Sequence, residues 1–399
     1  MRDMNQPEYV KKILNRIEDA GYEAFVVGGA VRDEMLGRTV NDYDITTSAL
    51  PEETAEIFSD LHVIMTGVKH GTVTVVSEGR PIEITTYRVD GDYRDSRHPE
   101  GVSFTRSIEE DLARRDFTVN AMAYSDRRGL VDLFGGREDL ERRLIRAVGE
   151  AERRFEEDAL RIMRAFRFAS KLGFEIEEKT LAAASRCRGG LLNISAERKT
   201  VELEGILLGS GVKKTLSMMK DTGVLEVVAP AIKLDDTRLN GVCALPCDFV
   251  CRMAFCLVGQ ENTDEYISSL KLSNSLSSSI RKLISMADYP VDAESDASLR
   301  RLVATAGEQT ENLLEIKKAL GEELGGAAER VRAIRERGDC LDLRSLAVSG
   351  KDLSALGIEG KDIGAALSFL LGKVLDDQSL NEKERLLNFL PAFKKSIYK

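Results

Sequence analysis

Two rhythms of apolar and polar positions divide the chain. In the first part, helix and strand spacings take turns. Residues 7–20 keep the spacing of an amphipathic helix, and Ala24-Phe25-Val26-Val27 is an unbroken apolar run that ends at Gly28-Gly29, as a buried strand would. A short helix is predicted over Val31 to Leu36 and a strand over Asp42 to Thr46. Pro51 to Phe58 is predicted helical, with proline in its first turn. Thr72 to Val76 and Ile82 to Tyr87 alternate polar and apolar residues and predict paired strands. Between Val89 and Val102 the sequence VDGDYRDSRHPEGV is polar and rich in turn formers, which predicts a mobile loop.

After about Arg146 the two-residue alternation fades and helical spacing takes over. Helices are predicted over Ala151 to Leu172, Glu177 to Cys187, Ala196 to Leu208 and most of the remaining chain. Gly325-Gly326 and turns near Gly350 and Gly360 punctuate the last third. No internal repeat is visible. The expected fold class is α+β: an α/β head with a mixed sheet over 1–146, then all-helical stretches divided as 147–210, 211–290 and 291–399.

The composition adds a class. With 399 residues and 43% hydrophobic content, the chain can build one large core or two to four smaller ones. Its start, MRDMNQPEYVKK, lacks the apolar centre of a signal peptide, and no apolar run approaches the roughly 18 residues of a membrane helix. A soluble cytoplasmic protein with no membrane partner is expected. Cys243, Cys247, Cys251 and Cys256 fall in one stretch without CxxC pairing or a nearby histidine, so small buried thiols in a helix are expected rather than a zinc site.

A net charge of −10 argues by itself against a polyanionic partner. The charge is uneven, however. Basic residues cluster at Arg114-Arg115, Arg142-Arg143-Arg146, Arg153-Arg154, Arg161-Arg164-Arg167 and Lys394-Lys395. Each is either a solvated helix face or a phosphate-binding patch on an otherwise acidic surface.

Gly28-Gly29-Ala30-Val31-Arg32-Asp33 is the strongest local signal in the head. A strand runs into two glycines and a helix begins. Glycine lets backbone approach a phosphate, free N–H groups point at it, and Arg32 can add a fork of donors. Asp42-Tyr43-Asp44 comes next. On a strand, i and i+2 share a face, and two carboxylates side by side repel unless a cation lies between them. Hard oxygen ligands beside phosphates suit Mg²⁺. A lone pair of this kind is usually a solvated turn; joined to the glycine turn it reads as a metal site, with Asp42 and Asp44 catalytic. Glu83, on a later strand with Thr85 on its face, is either a third carboxylate or an ordinary exposed residue. In Arg114-Arg115-Asp116-Phe117-Thr118-Val119-Asn120, Phe117 and Val119 belong to the core, while Arg115 and Asn120 can reach sugar and phosphate.

The segment Glu157 to Arg167 carries a second chemistry. Ile162, Met163, Phe166 and Ala169 form an apolar stripe, and Asp158 and Arg161 stand i and i+3. They are either a surface ion pair or a reader of bases. An ionised Asp only accepts hydrogen bonds and Arg only donates. Cytosine and adenine place an amino donor beside a ring-nitrogen acceptor, whereas uracil and guanine present the reverse. Such a pair selects C and A without a template, at about 1–3 kcal/mol per bidentate match. Arg164 and Arg167 continue the basic run and can bind phosphate or stack on the base.

Taken together, GGAVRDEMLGRTVNDYDITTS, RRDFTVNAMAY, DLFGG, EEDALRIMRAFRFASKLGF and ISAERKTVELEGIL resemble, in order, motifs A to E of the class II tRNA nucleotidyltransferases (CCA-adding enzymes) and bacterial poly(A) polymerases. Asn381-Glu382-Lys383 resembles the tail of the shorter bacterial type. The resemblance implies a nucleotidyltransferase head, then helical neck, body and tail. It implies Mg²⁺ at Asp42 and Asp44, nucleotide contacts from Gly29, Arg32 and Arg115, and base pairing by Asp158 and Arg161 supported by Arg164 and Arg167. It implies tRNA as partner, held at acceptor stem and elbow, with CTP and ATP as substrates. Lys69-His70-Gly71-Thr72 resembles the CCA-adding type, no GRRF-type stretch stands in its place, and no His-Asp dipeptide marks a phosphohydrolase extension. Members adding only CC tend to lack the loop that Tyr93-Arg94-Asp95-Ser96-Arg97 preserves here; an A-adding enzyme can keep it. A CC- or A-adding enzyme or a poly(A) polymerase is the alternative within the class. An inactive RNA-binding module is the alternative outside it, and a sugar- or antibiotic-modifying nucleotidyltransferase leaves the helical remainder unexplained.

Overall fold

A computed structural model describes residue 4, residues 6–90 and residues 102–397. The chain folds as two compact units. One runs to Ile232 and includes Ser269–Lys271; the other holds Lys233–Ser268 and the remainder from Leu272. The stretch 211–290 drawn from the sequence is therefore shared between them.

The first unit opens with α1 (Glu8–Asp19), whose Val10, Ile13, Leu14 and Ile17 are buried at helical spacing. The strands of the head are β1 (Ala24–Val27), β2 (Ile45–Thr47), β3 (His62–Ile64), β4 (Thr72–Ser77), β5 (Arg80–Thr86), β6 (Arg88–Asp90), β7 (Val102–Phe104), β8 (Met122–Ser125) and β9 (Gly129–Asp132). A further short parallel pair, Leu144–Ile145 with Glu175–Ile176, puts a strand inside the stretch 147–210, against the expectation that it is all-helical. Seven of the head strands form one sheet in the order β3-β4-β5-β2-β1-β8-β9. Only β2 and β5 pair in parallel there, so the sheet is mixed as expected. β1 is central and buried on both faces, hence its unbroken apolar run. β4 alternates half-buried and buried residues, as its pattern predicts. β6 and β7 pair as a separate hairpin, so the ends of the predicted loop are strands. Its centre, with Tyr93 to Arg97, lies outside the described residues.

Helices α2 (Gly29–Met35), α3 (Pro51–Ile57), α4 (Ile108–Ala113) and α5 (Gly136–Glu141) fill in the head. Gly136 packs so closely on the backbone of Thr118 that a Cβ would sit 2.3 Å from its carbonyl oxygen. Only glycine fits there, which explains the second glycine of DLFGG.

Two further expectations need correction. The ladder of β2 begins at Ile45, so Asp42 and Asp44 lie in the segment leading into the strand and not within it. The predicted helix 151–172 is two helices, α6 (Ala151–Glu157) and α7 (Leu160–Leu172). Asp158 breaks it with φ −142° and ψ 104°. Its Oδ1 accepts the backbone N–H of Leu160 at 3.0 Å, offering that N–H a partner outside the helical ladder. Beyond them come α8 (Glu178–Cys187), α9 (Ala196–Leu207) and α10 (Val212–Asp221).

The regular elements of the second unit are all helices, with no strand among its described residues. Leu353, Leu370, Val374 and Leu386 anchor one of its cores. The helix Phe249–Leu257 is buried along its whole length and contains Cys251 and Cys256. Burial pushes both thiols up to about 12, so they stay protonated. Cys243 and Cys247 are exposed, and the four do not share one helix face: Cys247 lies between two helices. Among the described residues no helix is long and apolar enough to cross a membrane.

Candidate active site

Antiparallel pairing of β1 with β2 brings the glycine turn and the aspartate segment to the same end of the sheet. Val26 faces Ile45, and the N–H of Val27 donates to the carbonyl of Asp44 at 3.0 Å. Gly28 adopts φ +69°, and a Cβ would meet Arg115 Nη1 at 3.3 Å. The turn therefore needs glycine both for its backbone and for the guanidinium lying against it. Arg115 donates to Asp111 at 3.1 Å, while its Nε has no partner among the described residues. With its Nη1 against the glycine turn and its side chain on the cavity wall, Arg115 is placed to meet an anionic ligand.

Arg32 lies at the same turn, held by protein groups. It is buried, its Nε and Nη2 donate to Asp33 at 2.9 Å each, and its Nη1 donates to Asn120 Oδ1 at 2.6 Å. Three of the Arg32 donors are thus engaged by protein, and Asn120 bridges Arg32 to Asp116, while both residues stay on the cavity wall. Asn120 Nδ2 donates onward to Asp116 Oδ1 at 3.2 Å. Asp116 also accepts from Arg164 Nε at 2.7 Å. Burial alone would raise the Asp116 carboxyl, but Arg164, Asn120 and Arg161 hold it below the usual range. A chain of polar contacts, Asp33–Arg32–Asn120–Asp116–Arg164, so ties the glycine-turn helix to α7.

Asp42 and Asp44 are both exposed. The parallel register of β2 and β5 pairs Ile45 with Ile84, which sets Asp44 level with Glu83. Although Asp44 keeps exposed surface, the protein around its carboxyl strips away part of its water, and this with the charges of Glu83 and Asp42 pushes the carboxyl up, against Arg115. Asp44 therefore feels two neighbouring carboxylates, and a cation beside it would offset their charge. No cluster of three or more His, Cys, Asp or Glu poised around a single metal point occurs among the described residues. The two aspartates offer the hard carboxylate oxygens that a divalent cation accepts alongside oxygens from other sources.

α7 supplies the opposite wall. Ile162, Met163, Phe166 and Ala169 are buried, as expected. Asp158 and Arg161 do not pair with each other. Asp158 Oδ2 accepts from Arg198 of α9 at 3.0 Å, and Arg161 donates to Glu157 at 2.8 Å and to the carbonyl of Arg114 at 3.2 Å. Each side chain is thus in an ion pair with a different residue rather than with the other. Arg167 donates to Glu202 at 2.5 Å. Arg32, Arg164 and Arg167 all lie over the ring of Phe168, at 5.2, 5.4 and 4.4 Å, which gathers three like charges around one aromatic ring.

These residues enclose one cavity of about 460 Å³. Gly28, Gly29, Arg32, Asp44, Arg115, Asp158, Arg161, Arg164 and Arg167 all line it; Asp42 does not. Arg114, Lys171, Arg198, Asp116, Asn120, Leu160 and Phe168 complete the lining. Eight cationic side chains face three carboxylates, so this hollow is electropositive in an acidic protein and suits a polyphosphate. Arg198, Lys171 and Phe168 are not singled out by the sequence reading, although Phe168 and Lys171 fall within EEDALRIMRAFRFASKLGF. Arg198 is visible there only as part of ISAERKT, and its approach to Asp158 comes from tertiary packing of α9 on α7.

The fold and this cavity define a nucleotidyltransferase class, and comparison with known proteins agrees. The Poly A polymerase head domain profile covers residues 24–146, the "Probable RNA and SrmB-binding site of polymerase A" profile covers 173–235, and that of tRNA nucleotidyltransferase domain 2 covers 251–390. CCA-adding enzymes of Limosilactobacillus fermentum and Geobacillus stearothermophilus are each 38% identical to this chain over 95% of both sequences. The crystal structure of the Bacillus stearothermophilus CCA-adding enzyme in complex with CTP superposes over 99% of both chains, with 34% identity and a TM-score of 0.84. The chain belongs to the family of CCA-adding enzymes.

Proposed function

We propose that the protein adds C, C and A to the 3′ end of tRNA, using CTP and ATP without a template and releasing pyrophosphate. The observation that carries this reading is that Asp44, Asp158 and Arg161 face one electropositive cavity. In the reaction the 3′ hydroxyl of tRNA attacks the α-phosphate of CTP, twice, and then of ATP. The bond to the β-phosphate breaks and pyrophosphate leaves.

Asp42 and Asp44 would hold Mg²⁺, which when bound supplies Lewis acidity to the attacking and leaving oxygens. Arg115 and the backbone of Gly29 would hold the triphosphate. Arg32 would act mainly by fixing the turn through Asp33 and Asn120. Asp158 would accept from the exocyclic amine of cytosine or adenine, and Arg161 would donate to the adjacent ring nitrogen. Arg164 and Arg167 would stack or bind phosphate over Phe168. In this reading 1–146 carries the chemistry, 147–210 the base reader, and 211–290 and 291–399 the tRNA, by shape and backbone contacts at acceptor stem and elbow. The setting is the cytoplasm, where these substrates meet.

Incubating tRNA that ends before the CCA with single and mixed nucleotides tests the reading. CTP alone should extend it by two residues, CTP with ATP by three, and UTP or GTP not at all. Two residues with no final A would make the protein a CC-adding enzyme, and a long A tract a poly(A) polymerase. Tight tRNA binding without incorporation would favour the inactive binding module.

A further inference from the structure

Tyr43 stands between the two aspartates, and the nucleotide-addition chemistry makes no use of it. Its hydroxyl donates to Glu34 Oε1 at 2.8 Å. Glu34 belongs to α2, the helix that opens at the glycine turn and carries Arg32. The other oxygen of Glu34, Oε2, is enclosed and has no hydrogen-bond partner among the described residues. On its far side Tyr43 meets the ring of Tyr9 edge-on, with centroids 6.3 Å apart at 89°, and Arg80 lies 5.0 Å over Tyr9. The tyrosine is therefore gripped at its tip and along its ring, while its neighbours Asp42 and Asp44 are exposed.

The backbone alone does not fix those neighbours. The β2 ladder starts at Ile45, and the Asp44 carbonyl, holding the N–H of Val27, is the last backbone tie before it. Asp42 lies two residues further out. We propose that the Tyr43–Glu34 bond is a strut that sets the spacing of Asp42 and Asp44 from the glycine turn, making Tyr43 a positioning residue for the metal. This rests on reading the two aspartates as the metal ligands. Without the hydroxyl, Glu34 keeps a buried acceptor and loses its donor, so α2 and the aspartate segment are free to part. Outer-shell partners that orient carboxylate ligands typically change metal affinity by about 10–100-fold.

Tyr43→Phe keeps the ring against Tyr9 and removes only the donor. Manganese binding to the whole protein, read by electron paramagnetic resonance with a non-hydrolysable CTP analogue present, should weaken about tenfold. The magnesium concentration that half-saturates C addition should rise by a similar factor. The preference for C and A over U and G should not move. Glu34→Leu, which removes the acceptor, should repeat the effect and stands in if Tyr43→Phe does not fold. Glu34→Gln keeps an acceptor and should bind manganese nearly as wild type does. Wild-type manganese affinity in a folded Tyr43→Phe or Glu34→Leu overturns the strut. Should Asp42→Ala also bind manganese normally, the metal reading itself fails; should it not, the strut fails alone.

Discussion

Alanine at Asp42 or Asp44 is expected to lower nucleotide addition by roughly a thousandfold or more, about 4 kcal/mol of transition-state stabilisation, while tRNA remains bound. The size reflects the ion that the carboxylates would hold. A divalent ion at the reacting phosphate stabilises both attacking and leaving oxygens, and no neighbouring side chain offers the same charge at the same place. Glu83, level with Asp44 through the β2–β5 register, is the nearest candidate to compensate. Asp44→Ala should be at least as severe as Asp42→Ala, because Asp44 alone of the two lines the cavity. Asp44→Asn should be nearly as poor, since an amide keeps the shape and loses the charge. Single-turnover addition to tRNA, with binding measured in parallel, separates this from loss of the partner. A variant within tenfold of wild type would remove the aspartates from the chemistry.

The second large effect is on choice rather than speed. Asp158→Ala or Arg161→Ala should erode the preference for C and A over U and G by about 10–200-fold. The fold prepares both groups for this. Asp158 sits at the break between α6 and α7, where its backbone is extended, and Arg198 and the N–H of Leu160 fix its carboxylate. Arg161 is steadied by Glu157 and the Arg114 carbonyl. Side chains held this way lose little freedom when a base arrives. Arg161→Lys should not rescue, because an ammonium lacks the planar fork. The check is kcat/KM for each of the four nucleotides on one tRNA end. An unchanged ratio of C to U in both alanine variants would assign base selection elsewhere.

Much of the head is legible in the sequence because its signals are local. The β1 run announces a strand buried on both faces, and the β4 alternation announces one set in a sheet. Ordered motifs locate the cavity wall as far as α9. Other features depend on packing that no window of sequence contains. The apolar stripe continues across Asp158, so only a side-chain bond to the Leu160 N–H shows that the helix stops. The same limit sorts the basic clusters. Arg142 and Arg153 pair with Glu138 and Glu157 on solvated faces, whereas Arg114, Arg115, Arg161, Arg164 and Arg167 converge on one hollow. Nothing in local charge distinguishes the two groups. Arg32 shows a related limit: its place in the motif is readable, but its engagement by Asp33 and Asn120 is not.

A crystal of the protein grown with CTP and manganese tests the central claim most directly, through the anomalous signal of the metal and the pose of the base. The account predicts manganese bridging Asp42, Asp44 and the triphosphate, with the cytosine edge on Asp158 and Arg161. Manganese bound away from both aspartates, or cytosine turned from α7 with its amine in solvent, would contradict it.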